Sequence, residues 1–421
     1  MGKGAVRMKR RDRFFYGYII LIVTWCLYFC VFGTVTYGAS VINANMQMSL
    51  GIKERYIGMA STLSMLLSGL MGPVTGHLIA RKGVRKPFAA GAVMVCAASL
   101  LLATAVKEHV AFLLFYGVVM GMGIGLAGLV SIQSIVNEWF DRKKAMAMAI
   151  VLTAGSVSGF ITPQIAEKLT GSGTWTWGWY YTCALSALAL LLAFLFLKNG
   201  PEEIGQYPDG LLPEKRPEKA ETAGGEERPV PRSAFFRVLA NYMTRNALYY
   251  SFIAYIVIFL RERGHTSGVG ASVLSVVSIL SLVGRLIAGA IPERRIPANI
   301  TLGAGNILMG LGTLVIAIQP DTAGIWAGAG CFGIGLGFVT VALPLTVSRI
   351  YGKKRFPVVN GRLSLFNCLL SAGAPSAVGY AAEVLGGYAL PFGVTGALAV
   401  LGGAAVLTIR TANVRGNYEL S

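Results

Sequence analysis

Arg285 is the residue with the clearest chemical potential in this sequence, because it lies inside an otherwise apolar stretch from Ala271 to Ile291. A charge in hydrocarbon is costly and requires a partner or a function. The acidic residues fall in loops, tails and helix ends, so none is placed to pair with it. We therefore predict that Arg285 holds a bound anion. The alternative is that its long side chain reaches the nearer membrane surface, roughly 9 Å away.

A second polar feature lies in an apolar stretch nearer the C-terminus. Asn360, Ser364, Asn367 and Ser371 follow one another at i, i+4, i+7 and i+11, which places them on one face of a helix. Such side chains also hold membrane helices together, so the face as a whole has two interpretations. Asn367 lies near the middle of the stretch, and we predict that Asn367 and Ser371 contribute to a ligand site.

Tyrosines in apolar segments are candidates for the wall of the same site: Tyr28, Tyr37, Tyr249 and Tyr250. A tyrosine supplies an aromatic surface and a hydroxyl donor, which suits a small carboxylate with an apolar tail. Packing, or a place at the membrane interface, is the alternative for each of them. Two other arginines in apolar segments, Arg245 and Arg362, are expected to extend to the membrane surface.

The elements that must position these side chains are membrane-spanning helices. The 421 residues are 54% hydrophobic and 13% charged, with a mean hydropathy of +0.62, which excludes a soluble protein of this size. A helix needs about 20 apolar residues to cross a bilayer. Twelve such runs are predicted, at residues 14–42, 56–79, 87–106, 110–135, 145–169, 178–198, 238–262, 269–291, 298–318, 323–348, 356–380 and 388–410.

The net charge of +18 comes from 37 Lys and Arg against 19 Asp and Glu. Most of the basic residues precede the first helix or lie in every second loop, which is the positive-inside pattern of a membrane protein. No nucleic-acid partner is needed to explain the charge. The pattern predicts a multi-pass protein of the plasma membrane with both termini in the cytoplasm.

No cofactor, metal site or catalytic residue is predicted. The six cysteines fall within predicted spans, where they behave as small apolar residues, and no disulfide is expected. The three histidines lack a second ligand at metal spacing. The glycine-rich stretches lack the order of a nucleotide-binding loop. We therefore expect neither an enzyme nor a transporter that hydrolyses ATP within this chain.

The chain divides into two halves around a polar segment. Residues 199–231 are rich in Pro, Glu, Gly and Lys, which is typical of a solvated linker. The predicted division is an N-terminal six-helix bundle at residues 1–198, a cytoplasmic linker at 199–235 and a C-terminal six-helix bundle at 236–421. Similar glycine patterns at residues 121–126 and 331–336 indicate a repeat. In transporters built from such repeats, the substrate site lies between the halves.

Several loop motifs resemble those of the major facilitator superfamily. Residues 76–86, GHLIARKGVRK, are similar to the loop signature between its second and third helices, except that Ala80 stands where the family usually has Asp. The second half keeps an acid at the corresponding place, Glu293. The resemblance implies twelve helices in two pseudo-symmetric bundles. It also implies that a group of loop residues controls the contact between them: Gly76, Arg81, Gly83, Arg85, Glu293 and Arg294.

Residues 137–144 and 201–210 resemble the branch that contains monocarboxylate porters and oxalate/formate exchangers. The resemblance matches Arg285 to an arginine of helix 8 in that branch. Asn367 falls where the oxalate exchangers place a second intramembrane cation, a lysine. One arginine and a neutral amide suit a single negative charge, so this departure favours a monoanion such as lactate, pyruvate or formate.

These observations predict a monomeric secondary transporter that moves a small organic monocarboxylate across the membrane by alternating access. Its partners would be the anion, the lipid bilayer and, in one mode, a proton. Exchange, uniport and proton-coupled movement are all compatible with spans whose interiors contain no acid. An exporter of larger amphipathic compounds is the alternative within transport, and a receptor that binds without moving its ligand is the alternative outside it.

Overall fold

The computed structural model describes residues 14–51, 54–170, 174–210, 232–265, 267–292, 295–319, 321–371 and 373–409. The described residues fold as helices joined by short connections. A helix satisfies its backbone N–H and C=O groups within its own segment, which a bilayer requires because it offers them no water. Long apolar helices dominate this part of the chain, and the prediction of an all-α membrane protein is confirmed.

The N-terminal half contains six helices, α1 to α6. Four of them are α2 (Glu54–Lys82), α3 (Arg85–Thr104), α5 (Lys144–Thr170) and α6 (Thr176–Phe196). The other two contain π-helical turns, which often mark functional segments. α1 runs through Gly17–Leu27, the π-helical Tyr28–Gly33 and Thr34–Leu50. α4 runs through His109–Phe112, the π-helical Leu113–Met120, Gly121–Ala127 and Leu129–Trp139.

The C-terminal half contains α7 (Arg232–Glu262), α8 (Ser267–Ala290), α9 (Ala298–Ile318) and α12 (Ala389–Leu407). Between them, Thr322–Ser371 changes direction at Gly352, where φ is 74° and ψ is 167°. A positive φ is accessible to glycine because it lacks a Cβ. This break separates α10 (residues 322–351) from α11 (residues 353–371), which Ala374–Leu385 follows. The described chain therefore has the twelve predicted spans.

Each half packs around its own apolar core. Trp139 and Trp179 are fully buried in the N-terminal core. In the C-terminal core, the rings of Phe252 and Phe332 stack with their centroids 4.1 Å apart. Because successive helices alternate in direction, the loops that follow α2, α4, α8 and α10 lie at one end of the bundle. We call it the basic end, after the Lys and Arg residues of these loops.

The two halves approach each other closely where α2 meets α11. Gly72 lies against Gly361, and Gly76 lies against Pro357, so that a Cβ added to Gly72 or Gly76 would overlap the backbone of α11. Small residues allow this approach of two helix backbones. We refer to these four residues as the α2–α11 contact.

The start of the predicted linker is folded onto the N-terminal half. Gln206 accepts a hydrogen bond from the Tyr16 N–H and donates one to the Phe14 carbonyl, both at 3.0 Å. The carboxylate of Asp209 accepts one from the Asp141 N–H at 2.9 Å. Composition indicates solvation for this whole segment, whereas tertiary contacts hold residues 201–210 in place. Residues 211–231 lie outside the described part, and α7 begins at Arg232, within the range predicted as linker.

Candidate functional site

Arg285 joins the two halves of the molecule. Its Nη1 donates hydrogen bonds to the Leu152 carbonyl at 2.8 Å and to Ser156 Oγ at 2.7 Å, both on α5. The Nε of Arg285 is buried and has no hydrogen-bond partner among the described residues. The side chain is thus directed at the opposite half and not at the membrane surface, which was the alternative that the sequence left open.

The backbone around Arg285 is enclosed by neighbouring helices. A Cβ added to Gly337 on α10 would lie 2.6 Å from the backbone nitrogen of Arg285, and one added to Gly289 would lie 2.5 Å from Ala149 Cβ on α5. Close packing on both sides fixes where the side chain leaves α8. The guanidinium position is therefore set by the scaffold, as a binding group requires.

The predicted tyrosines of α1 lie close to this arginine. A Cβ added to Gly155 on α5 would lie 3.1 Å from the ring of Tyr28, and one added to Gly159 would lie 3.3 Å from the ring of Tyr37. Electrostatic interactions connect Arg285 with both phenol groups. Tyr28 is also the first residue of the π-helical turn in α1. The structure therefore brings these two predicted residues to Arg285.

The predicted tyrosines of α7 complete the opposite wall. The rings of Tyr249 and Tyr250 meet edge to face with their centroids 5.2 Å apart. Tyr249 interacts electrostatically with Arg285. The hydroxyl groups of Tyr250 and Tyr37 lie near each other across the two halves. All four predicted tyrosines thus surround the same region between α1, α5, α7 and α8.

Arg245 is placed differently from the expectation. Hydropathy predicts that this span begins at residue 238, with the arginine extending to the membrane surface. In the structure α7 begins at Arg232, so Arg245 lies well inside the helix. Its guanidinium lies 5.7 Å from the ring centroid of Tyr249 and 6.0 Å from that of Tyr242. It also interacts electrostatically with Arg285. Arg245 is therefore a second cation of the site, and the surface assignment was wrong.

Asn367 reaches the site through a hydrogen-bonded chain. Arg245 Nη1 donates to Asn246 Oδ1, and Asn246 Nδ2 donates to Asn367 Oδ1. This chain links α7 to α11 and places the amide of Asn367 beside the second arginine. Ser371 ends α11, but its side chain lies outside the described part.

Asn360, on the same face of α11, connects the halves. Its Nδ2 donates a hydrogen bond to Gln133 Oε1 on α4 at 2.7 Å, and Asn360 is buried. This hydrogen bond supports the interpretation of Asn360 as a residue that holds helices together.

The predicted loop residues divide into separate groups. Gly76 belongs to the α2–α11 contact. The other described ones belong to the N-terminal half: a Cβ added to Gly83 would overlap Asn199, and Arg85 donates from Nη2 to the Phe194 carbonyl on α6 at 2.6 Å. Arg81 is exposed. Glu293 and Arg294 lie outside the described residues.

At the basic end, the halves also meet through residues that were not among those expected from the sequence. Lys144 on α5 is buried and donates from Nζ to Asn137 Oδ1 and to Ser348 Oγ on α10, each at 3.0 Å. At its edge, Asp141 lies 3.9 Å from Lys353. The sequence contained one indication of this contact, because Lys144 directly precedes an apolar run. A lysine buried there is costly unless it has a partner. We call these residues the basic-end latch: Asn137, Asp141, Lys144, Ser348 and Lys353.

The fold and this site define a membrane transporter built from two six-helix halves. Residues 24–375 match the family model described as Major Facilitator Superfamily, and the chain belongs to that family. It is a multi-pass membrane transporter and not an enzyme.

Comparisons with individual proteins agree on the family but differ in the named cargo. The chain is 24% identical to the Fujikurins efflux protein of Gibberella fujikuroi, over 79% of this chain and 70% of that protein. It is 22% identical to human monocarboxylate transporter 2, over 78% of this chain and 72% of that protein. The solved structure of the human organic anion transporter MFSD10 has the same fold, with a TM-score of 0.68, 17% identity and coverage of 93% and 99%.

Proposed function

We propose that this protein transports small organic carboxylates by alternating access, with Arg285 holding the carboxylate. Monocarboxylates such as lactate, pyruvate and formate are the smallest cargo of this class. The observation that carries the proposal is that Arg285 contacts α5 from α8 while its buried Nε has no partner in the described structure. A guanidinium has five N–H donors, so donors are available to a ligand in addition to the two contacts on α5.

The surroundings of Arg285 suit a carboxylate with a short apolar tail. A guanidinium and a carboxylate form two parallel hydrogen bonds, which fixes the orientation of the anion. The rings of Tyr28 and Tyr37 supply apolar area, and their hydroxyl groups supply further donors. Among the described helices that line the site, the acids Glu167 and Glu262 are exposed near helix ends, so the anion has no competitor there.

Arg285 also links anion binding to the movement of the two halves. Its bonds to Leu152 and Ser156 cross the interface that has to open during alternating access. An anion bound to the remaining donors of this guanidinium draws it toward the ligand and so alters its contact with α5. Substrate binding would then change the relative stability of the open and closed states, which is the requirement for coupled movement.

The packing at the basic end supports an assignment of the conformation. The basic-end latch and the α2–α11 contact hold the halves together there. If the basic loops are cytoplasmic, as their charge predicts, this state is closed on the cytoplasmic side. A membrane that separates the cytoplasm from the outside is the plasma membrane, which we propose as the location of this protein.

Export of larger amphipathic compounds is the second candidate, because one relative named above is an efflux protein. The two candidates differ in what competes for the site. Short monocarboxylates should compete strongly with the cargo of a carboxylate transporter and weakly with that of an exporter of bulky compounds. Competition by lactate, pyruvate and formate therefore separates the two.

The direct test is uptake of labelled lactate into proteoliposomes, with and without a pH gradient. We expect uptake that other short carboxylates inhibit and that the Arg285→Gln variant lacks. Arg362→Gln is the matched control, because Arg362 is an exposed arginine of α11. The gradient distinguishes the modes: stimulation by an inward proton gradient indicates proton coupling, and stimulation by internal anion indicates exchange. Absence of carboxylate uptake under every condition would reject the proposal.

A further inference from the structure

The site between the halves contains two arginines and not one. Arg285 belongs to α8 and Arg245 to α7, and the two interact electrostatically. Tyr249 interacts with both: its ring lies 5.7 Å from the Arg245 guanidinium, and its hydroxyl interacts electrostatically with Arg285. The two cations therefore flank one tyrosine in the same interior region.

The described protein does not neutralise this pair. Arg245 donates from Nη1 to the neutral amide of Asn246, and Arg285 donates to a carbonyl and a hydroxyl. The Nε of each arginine is buried without a partner among the described residues. No carboxylate is among the groups that interact with Arg285. Two like charges in a medium of low dielectric constant repel each other, so the pair is stabilised by a ligand that carries two negative charges.

We propose that Arg245 is a second anion-binding residue of this site and that its preferred substrates are small dicarboxylates. The inference rests on the function proposed for Arg285, which holds the first carboxylate. The second carboxylate lies on the far side of Tyr249, against Arg245 and the amides of Asn246 and Asn367. A monocarboxylate fills only the first position, and it binds more weakly because Arg245 stays without its anion.

A second arginine in the site removes the basis for expecting a monoanion. That expectation counts one intramembrane cation, with Asn367 in place of a second. The second cation is instead supplied by α7, and the hydrogen bond between Asn246 and Asn367 connects it to the predicted position. The site therefore has two positive groups, Arg285 and Arg245. The spacing of residues along α11 could not indicate the second one, because it lies on α7.

The test compares acids of equal chain length that differ by one carboxylate. The pairs are malonate with propionate, succinate with butyrate, glutarate with valerate and adipate with hexanoate. The pair with the largest affinity ratio identifies the chain length that spans the two arginines. Binding of each acid to the purified wild-type protein is measured by competition against a labelled member of the series. In at least one pair the dicarboxylate should bind about tenfold tighter or more, as one added charge-assisted contact provides.

Variants then assign the two positions. Arg245→Gln should reduce the affinity ratio of the best pair to near one, Arg245→Lys should leave an intermediate ratio, and Arg362→Gln should leave it unchanged. Arg285→Gln should abolish binding of both acids. Size-exclusion profiles and thermal unfolding establish whether each variant is folded. If Arg245→Gln does not fold, the affinity ratio in Arg245→Lys is used instead: a lower ratio than in the wild type supports the role of Arg245, and an equal ratio rejects it.

The outcomes separate the two proposals. If mono- and dicarboxylates bind equally in every pair, or if the ratio is the same in the folded Arg245 variants as in the wild type, the role of Arg245 is rejected. Loss of monocarboxylate binding in Arg285→Gln would in that case still support the function proposed above. If the wild-type protein binds neither class, both proposals are rejected.

Discussion

Lys144 on α5 donates a hydrogen bond from Nζ to Ser348 Oγ on α10 at 3.0 Å, and this bond joins the two halves of the transporter at the basic end. Lys144 is only 8% exposed, so its ammonium group depends on the protein for its hydrogen bonds. A buried charge that loses a partner is strongly destabilised. If the halves separate at this end during transport, this contact has to break, and its strength contributes to the balance between the two states.

Removal of the Lys144 ammonium should favour the state that is open at the basic end. The Lys144→Met variant loses charge-assisted hydrogen bonds that contribute about 1.5–3 kcal/mol each. Leu345 reports on opening, because it lines a small cavity between the halves and is 4% exposed. In a background without the native cysteines, Leu345→Cys should react with a soluble thiol reagent about tenfold faster when Lys144 is Met. Lys143→Met is the control, since Lys143 is exposed. Equal labelling rates in Lys144→Met and its parent would contradict this role.

The glycines of the α2–α11 contact should not tolerate a side chain. A Cβ at Gly76 would overlap the backbone of Pro357, so Gly76→Ala should force the two helices apart at a cost of about 1–3 kcal/mol. We expect a lower unfolding temperature, slower transport and faster labelling of Leu345→Cys. Gly58→Ala on the same helix is the matched control, because a Cβ there meets no atom within 4 Å. Normal transport by Gly76→Ala at unchanged stability would show that this approach is not needed.

Substitution of Arg285 should separate its charge from its geometry. Arg285→Gln removes both, whereas Arg285→Lys keeps a point charge but loses the planar pair of donors. We expect no substrate binding in the Gln variant and binding weakened about tenfold or more in the Lys variant. Folding should be retained in both, because no described carboxylate depends on this cation. Titration of the purified variants, with thermal unfolding alongside, measures both quantities. Normal affinity in a poorly folded Gln variant would identify Arg285 as a structural residue.

The orientation in the membrane should follow the distribution of basic residues. Single cysteines at the exposed positions Glu108 and Asp321 should react with an impermeant reagent added to intact cells. Cysteines at the exposed positions Lys143 and Lys354, at the basic end, should react only after the membrane is permeabilised. The positive-inside rule gives the physical basis. Reaction of Lys143→Cys in intact cells would reverse the proposed orientation and, with it, the side to which the closed end belongs.

Arg285 could be identified from the sequence because the cost of a charge in an apolar segment is a local property. The twelve spans and the membrane class followed from hydropathy in the same way, and loop motifs indicated the family that the comparisons confirm. The tyrosines could be proposed from their chemistry alone. Their arrangement around Arg285 could not, because it depends on how each helix is rotated about its axis and on glycines such as Gly155 and Gly159 that admit the rings.

Arg245 shows what only the tertiary structure decided. Its position within the helix depends on where α7 begins, and the start of that helix mixes charged and apolar residues, so hydropathy did not mark it. Likewise, the hydrogen bonds of Lys144 with Ser348 and of Asn246 with Asn367 join residues more than a hundred positions apart. Hydrophobicity determines that a helix enters the membrane, but the packing of helix against helix determines which polar groups meet. The sequence alone therefore determined the class of protein and its principal arginine, while packing between the halves supplied the second arginine and the latch.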